Sequence, residues 1–209
     1  MSVESLKLCV MILFHPVVVT EHIKRQRGRR AQWLPILVML VLMVAVRVFS
    51  IYVTHYPLTS VSVRKANLLL ECGKLMVPVL TWVLASYAMT TILDGETLFQ
   101  ETLLFSAYAL TPYIVFTPVL TLLSRLMDIS QLGVYTAAEI IILGWVVALM
   151  ILALKEMNGY SGGKTVLVIA LSLFTMVMIW AVVILLYTIA SQFVTMLREM
   201  FYEFIYRMN

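Results

Sequence analysis

The sequence is short of charge. Of its 209 residues, 12% are Asp, Glu, Lys or Arg, while 62% are apolar. An average soluble domain is about a quarter charged and nearer half apolar. A soluble fold of this length has too little interior to hide so many apolar side chains, and the same numbers exclude a disordered chain. With a mean hydropathy of +0.99, the lipid bilayer is the solvent that suits most of the chain. Ligand-forming residues are scarce too. Two cysteines, Cys9 and Cys72, give no disulfide framework and no metal cluster. His15, His22 and His55 lie far apart and lack metal-ligand spacing. There is no Ser-His-Asp set, paired carboxylate or His-Glu-x-x-His arrangement. No catalytic, cofactor-binding or metal-binding residue is therefore assigned, and no cofactor is expected.

What charge there is sits in clusters. An apolar stretch, Leu8 to Val19, is too short to span, because the hydrocarbon core needs ~20 helical residues. A signal peptide carries its basic residues before the apolar run. Here Lys7 precedes it, and Lys24, Arg25, Arg27, Arg29 and Arg30 follow. Residues 4–23 read as an interfacial helical segment broken at Pro16, which lacks an N–H donor. The basic run then lies among anionic headgroups, each cation gaining roughly 1 kcal/mol near a negative leaflet. That placement, rather than a nucleic-acid partner, accounts for the net charge of +4.

Five stretches are long and apolar enough to cross: about Trp33–Val53, Leu75–Leu93, Thr102–Leu123, Tyr135–Leu154 and Thr165–Ala190. The expected fold is all-α, a polytopic bundle of five transmembrane helices with amphipathic helical segments at both ends. Period-two alternation is absent, and backbone groups in lipid must bond within their own segment. The chain divides into a cytoplasmic interfacial segment (1–32), a membrane domain (33–190) and a tail helix (191–209). In the tail, Phe193, Leu197, Met200, Phe201, Phe204, Ile205 and Met208 recur at spacings of three and four, which makes one apolar face. It can extend the fifth span, lie along the outer leaflet or pack on a partner; the leaflet is the favoured reading. The basic cluster before the first span orients the chain with its N-terminus cytoplasmic and its C-terminus outside. The location expected is the plasma membrane.

Few residues within the spans invite chemistry. Arg47 in the first span and Glu139 in the fourth fall at similar depth, near the outer side. Each costs ~2.5–3.5 kcal/mol at a helix centre if unpaired. A structural pair, snorkelling apart, and a substrate or proton pathway are the three readings. In the third span, Thr-Pro steps at Pro112 and Pro118 each remove a backbone donor, and a kink that shapes the bundle is favoured over a broken-helix binding site. The string Asn158–Thr165, NGYSGGKT, nearly matches a phosphate loop. It has Asn158 where that loop needs Gly, and a helix rather than a strand before it. A turn between spans four and five fits it better. The Asp94-Gly95 pair between spans two and three reads as a turn with Gly95 at positive φ and Asp94 capping the next helix.

These residues also carry a resemblance. Trp82, Asp94-Gly95, Phe99, Tyr108 and Pro112-Tyr113, followed by Trp145, Tyr160, Ser161 and Lys164-Thr165, resemble the Yip family (Ypt-interacting proteins) in its bacterial branch, over about residues 10–195. The resemblance implies five spans with a cytoplasmic N-terminus and a non-enzymatic membrane protein that works through partners. Its tail looks like that of members found in Gram-positive bacteria beside ABC-type transporters, often sugar importers. The partners implied are membrane lipids and the permease or ATPase subunits of such a transporter, and a homo-oligomer is compatible with the same features. A small transporter or channel in its own right, or a membrane-shaping protein, is the alternative. The residues marked for structure or interaction are Arg47, Asp94, Gly95, Tyr108, Pro112, Pro118, Glu139, Phe201 and Phe204.

Overall fold

A computed structural model of the chain describes residues 3–25, 33–54 and 67–208. Arg27, Arg29 and Arg30 of the basic run lie outside the described residues. The described residues form eight α-helices: α1 (Val3–Phe14), α2 (Pro16–Arg25), α3 (Trp33–Val53), α4 (Leu68–Ile92), α5 (Phe99–Ala109), α6 (Thr111–Leu123), α7 (Leu132–Asn158) and α8 (Gly162–Met208). Two short 3₁₀ turns, Ser124–Leu126 and Ile129–Gln131, link α6 to α7. Among the described residues, five segments are long and apolar enough to cross a membrane: Trp33–Val53, Leu68–Ile92, Phe99–Leu126, Ile129–Asn158 and Gly162–Phe201.

Local chemistry sets the helix ends. Asn67 caps α4 by accepting from the Leu69 N–H at 3.1 Å, so α4 begins seven residues before the expected start of the second span. Glu101, buried in the first turn of α5, accepts from the Leu98 N–H at 3.0 Å. Gly159 ends α7 in the left-handed region, φ 63°, a conformation that glycine adopts at no steric cost. At the N-terminus the helix breaks at His15, just before Pro16. The segment made by α1 and α2 packs on the bundle: Ile12, Val19, Thr20 and Ile23 are all buried. Lys24 Nζ donates to the Glu156 carbonyl at 3.2 Å, which ties α2 to the end of α7.

The third span, α5 and α6, is the centre. Of its apolar stretch 72% is buried, against 11–28% for the other four spans. α3, α4 and α7 surround α5, α1 and α2 also pack on it, and α8 lies on α4 at the edge of the bundle. Pro112 interrupts this central span, as the sequence suggests, and α5 and α6 meet at Leu110. Its ring deprives the Tyr108 carbonyl of the i+4 amide. The Thr111 hydroxyl takes that place, donating to Tyr108 O at 2.6 Å. Pro118 stays inside α6 without breaking it. Removing the Thr111 hydroxyl takes one buried hydrogen bond from this break, which costs ~0.5–1.5 kcal/mol. Thr111→Val should therefore lower the thermal stability of the purified protein in detergent, and Thr111→Ser should restore most of it. Equal melting temperatures for the two variants would contradict this role.

Candidate functional site

Two polar clusters stand out against the apolar bundle, one at each end. At the first end the loop after α4 meets the turn between α7 and α8. Asp94 takes φ 54°, a left-handed value that Asp tolerates better than most residues. Gly95 does not, so the expected positions are exchanged: Asp94 carries the unusual backbone. Nor does Asp94 cap α5, whose first turn is closed by Glu101. Gly95 is demanded by space instead. A Cβ there would lie 2.6 Å from Asn158 Oδ1, 2.7 Å from the Tyr160 hydroxyl and 2.8 Å from the Thr90 carbonyl. The Gly95 N–H donates to that same carbonyl at 2.7 Å.

The residues pressed against Gly95 hold each other. Thr97 Oγ1 donates to Asn158 Oδ1 at 3.0 Å, and Asn158 Nδ2 donates to the Leu154 carbonyl at 2.9 Å. The Tyr160 hydroxyl lies 3.3 Å from the Leu93 carbonyl and 3.4 Å from that of Thr90. Burial, and then the nearby charge of Asp94, push the Tyr160 phenol above its ordinary pKa, so it stays protonated and able to donate. Lys164 Nζ sits 4.6 Å over the Tyr160 ring, a cation–π contact. The phosphate-loop-like string is thus a helix–turn–helix joint. Its glycine at 159 ends α7, and the Ser161 carbonyl accepts from both the Thr165 N–H and the Thr165 hydroxyl at 2.9 Å.

At the opposite end, Arg47 of α3 finds its partner, and it is not Glu139. Arg47 Nη2 donates to Glu71 Oε2 at 2.5 Å, and Lys74 Nζ donates to Glu71 Oε1 at 2.6 Å. Glu71 is 4% exposed. Glu139 stands close enough to act on Arg47, Tyr113 and Tyr135 through its charge, with Tyr135 as its side-chain partner. Of the three readings open for Arg47 and Glu139, the direct pair gives way to a cluster in which Glu71 is the bridging anion. The reason is the early start of α4: with the second span expected to open at Leu75, Glu71 counted as loop. An ionised side chain with no countercharge inside a span is the signal to look for an anion at the same depth.

Of the remaining marked residues, Tyr108 is 3% exposed and packs in the core beside the Pro112 break. Phe201 is 65% exposed near the end of α8, and the side chain of Phe204 lies outside the described residues. Among the described residues, no group of three or more His, Cys, Asp or Glu is placed to hold a metal ion.

Four apolar helices and a broken central span, with polar joints at the ends, define a multi-pass α-helical membrane protein. Residues 10–193 match the Yip1 domain, and the chain belongs to the Yip1 domain family. No curated protein and no solved structure matches it. The matched region holds both polar clusters and ends within α8.

Two outcomes follow. Gly95→Ala forces backbone and two packed side chains apart, an overpacking worth ~1–3 kcal/mol or more; it should cut the yield of monodisperse protein on size exclusion, whereas the exposed Glu96→Ala should change it far less. Comparable yields would show that the joint has slack. Glu71→Ala takes the bridging anion from Arg47, whose side chain is 26% exposed, a loss of ~1.5–3 kcal/mol for a charge-assisted hydrogen bond. Reversible unfolding in mixed micelles should show that loss for Glu71→Ala and a clearly smaller one for Glu139→Ala. The opposite ranking would restore Glu139 as the principal partner.

Proposed function

We propose that this protein is a non-enzymatic accessory subunit of the membrane, which associates with another membrane protein through α8. The observation that carries the reading is the course of α8. It runs 47 residues without a break, ~70 Å at 1.5 Å per residue, against a hydrocarbon core of ~30 Å. The tail is thus continuous with the fifth span and not a separate element. α8 lies on α4 as far as Trp180, whose Nε1 donates to Thr81 Oγ1 at 3.2 Å. From Ala181 to Met196 every side chain is exposed, with Val182, Ile184, Leu186 and Phe193 among the large apolar ones, and Phe201 beyond them is exposed too. A face of that size needs a cover, and burial of such side chains contributes ~1.5–3 kcal/mol each.

The partner class follows from the resemblance: the permease or ATPase subunits of an ABC-type transporter, a carbohydrate importer in particular, in a bacterial plasma membrane. The orientation that goes with it has a cytoplasmic N-terminus, after the basic run before α3, and the α8 tail outside. Under it, the Gly95 joint faces the cytoplasm and the Arg47 cluster lies near the outer surface. Co-purification in mild detergent tests the reading. The native chain should retain a transporter subunit, and the double variant Phe201→Asp with Phe204→Asp should release it while the five spans stay inserted. Unchanged retention by the double variant, or recovery of the native chain without any transporter subunit in nanodiscs as well as in detergent, would reject it.

A further inference from the structure

Between α4, α6, α7 and α8 lies a groove of about 450 Å³, within the ~300–1,000 Å³ range of ligand sites. Its walls are almost wholly apolar, with Pro78, Trp82, Val146 and Met176 among them, and Lys74 marks one end. Along α4 it runs from Lys74 to Trp82, ~12 Å at 1.5 Å per residue. Val147 and Leu173 on its rim are half exposed, on helices that face the membrane.

Hydrogen-bond donors converge where the apolar trough begins. Tyr113 lines it and is 6% exposed; its oxygen faces the Arg47 guanidinium, and its O–H has no acceptor in the protein. A buried hydroxyl left unpaired is costly, and the groove gives this one somewhere to donate. Lys74 spends one of three N–H donors on Glu71 and is 69% exposed in its side chain. Arg47 stands behind Tyr113 and not on the groove wall. Glu71 and Glu139 offset the charges of Arg47 and Lys74, so this end offers donors rather than net charge.

We infer that the groove is a binding site for one glycerophospholipid, its acyl chain along Pro78, Trp82 and Val146 and its ester or phosphate oxygens accepting from Tyr113 and Lys74. The ligand must be long and apolar on one side and rich in oxygen acceptors at a single end, entering from the bilayer; a glycerophospholipid meets all three conditions. Donor chemistry without surplus charge admits a zwitterionic headgroup as well as an anionic one. This site is separate from the exposed stretch of α8 and stands whether or not a protein partner binds there.

The test uses the full chain in nanodiscs of phosphatidylcholine doped with a photoactivatable phosphatidylcholine that carries the reactive group on its acyl chain. Mass spectrometry maps the adducts. Cross-links should concentrate on Trp82, Met150 and Met176 over equally apolar exposed residues such as Ile184 and Leu186. Leu173→Trp and Val147→Trp, both at exposed rim positions and each checked for an unchanged melting temperature, should block the groove and remove that excess. In native mass spectrometry the wild type should keep one lipid, and Tyr113→Phe should weaken its retention about tenfold, the worth of one hydrogen bond. Uniform labelling of groove and exposed faces would overturn the site, and so would an excess that survives both rim variants. Undiminished retention by Tyr113→Phe would overturn the assignment of its hydroxyl.

Discussion

In a bilayer, a carbonyl that loses its amide partner cannot turn to water for another. The third span contains such a carbonyl at Tyr108, because Pro112 offers no N–H, and the Thr111 hydroxyl supplies the missing donor. Around that repair the rest of the bundle is arranged. Irregular backbone at membrane depth is tolerated where protein covers it, and the span that breaks is the one that is 72% buried. Phe105, Ala107, Tyr108 and Ala109 just before the break are each 3% exposed or less. The small side chains of Ala107 and Ala109 let neighbouring backbones come close, which matters in lipid, where helices gain little from hydrophobic burial against one another.

The costly charges are held at the ends of this core. Glu71 pairs with both Arg47 and Lys74 where α3 meets α4, and Glu139 acts on Arg47 through its charge. Glu71 bridges two cations, so desolvating it is repaid by two charge-assisted hydrogen bonds. At the other end the Gly95 joint depends on fit as well as on hydrogen bonds. The fit is close: three atoms stand closer to the vacant Cβ position than a real Cβ would allow. That contact locks the α4–α5 loop against the α7–α8 turn. It thereby fixes where α8 starts, and α8 then has α4 as its main neighbour in the bundle.

The spans were legible in the sequence because nothing but a membrane helix explains five apolar runs of that length, and the Pro112 interruption was legible because proline acts through its own covalent structure. The boundaries were not. Glu71, Cys72, Gly73 and Lys74 read as loop by composition, yet Asn67 caps a helix that contains them. That single misplaced end hid the partner of Arg47. The Gly95 joint was half legible. A glycine beside an aspartate marks a turn, but sequence alone does not say whether glycine is there for its φ or for the room its missing Cβ leaves. Here Asp94 supplies the positive φ and Gly95 the room. The N-terminal stretch shows the same limit: its apolar run and basic flank point to an interfacial helix, and Pro16 to the break. Whether Ile12, Val19 and Ile23 meet lipid or protein depends on the grooves that α5 and α7 present.

The two halves of α8 obey different rules, and the difference explains the layout. Near its start, Val168 and Ser172 are fully buried, and the Trp180–Thr81 hydrogen bond closes the contact with α4. Past that bond, the backbone keeps its own hydrogen bonds and needs no neighbour, so a helix can leave the bundle at no backbone cost. A strand or a loop could not, since its polar groups would meet lipid bare. The only structure able to carry an apolar surface away from this bundle is therefore the one the chain uses, and the bundle can hold that surface steady because its own centre is closed. Closure at Tyr108, ion pairing at Glu71 and tight contact at Gly95 leave the exposed apolar surface to the periphery of the bundle, and to α8 above all.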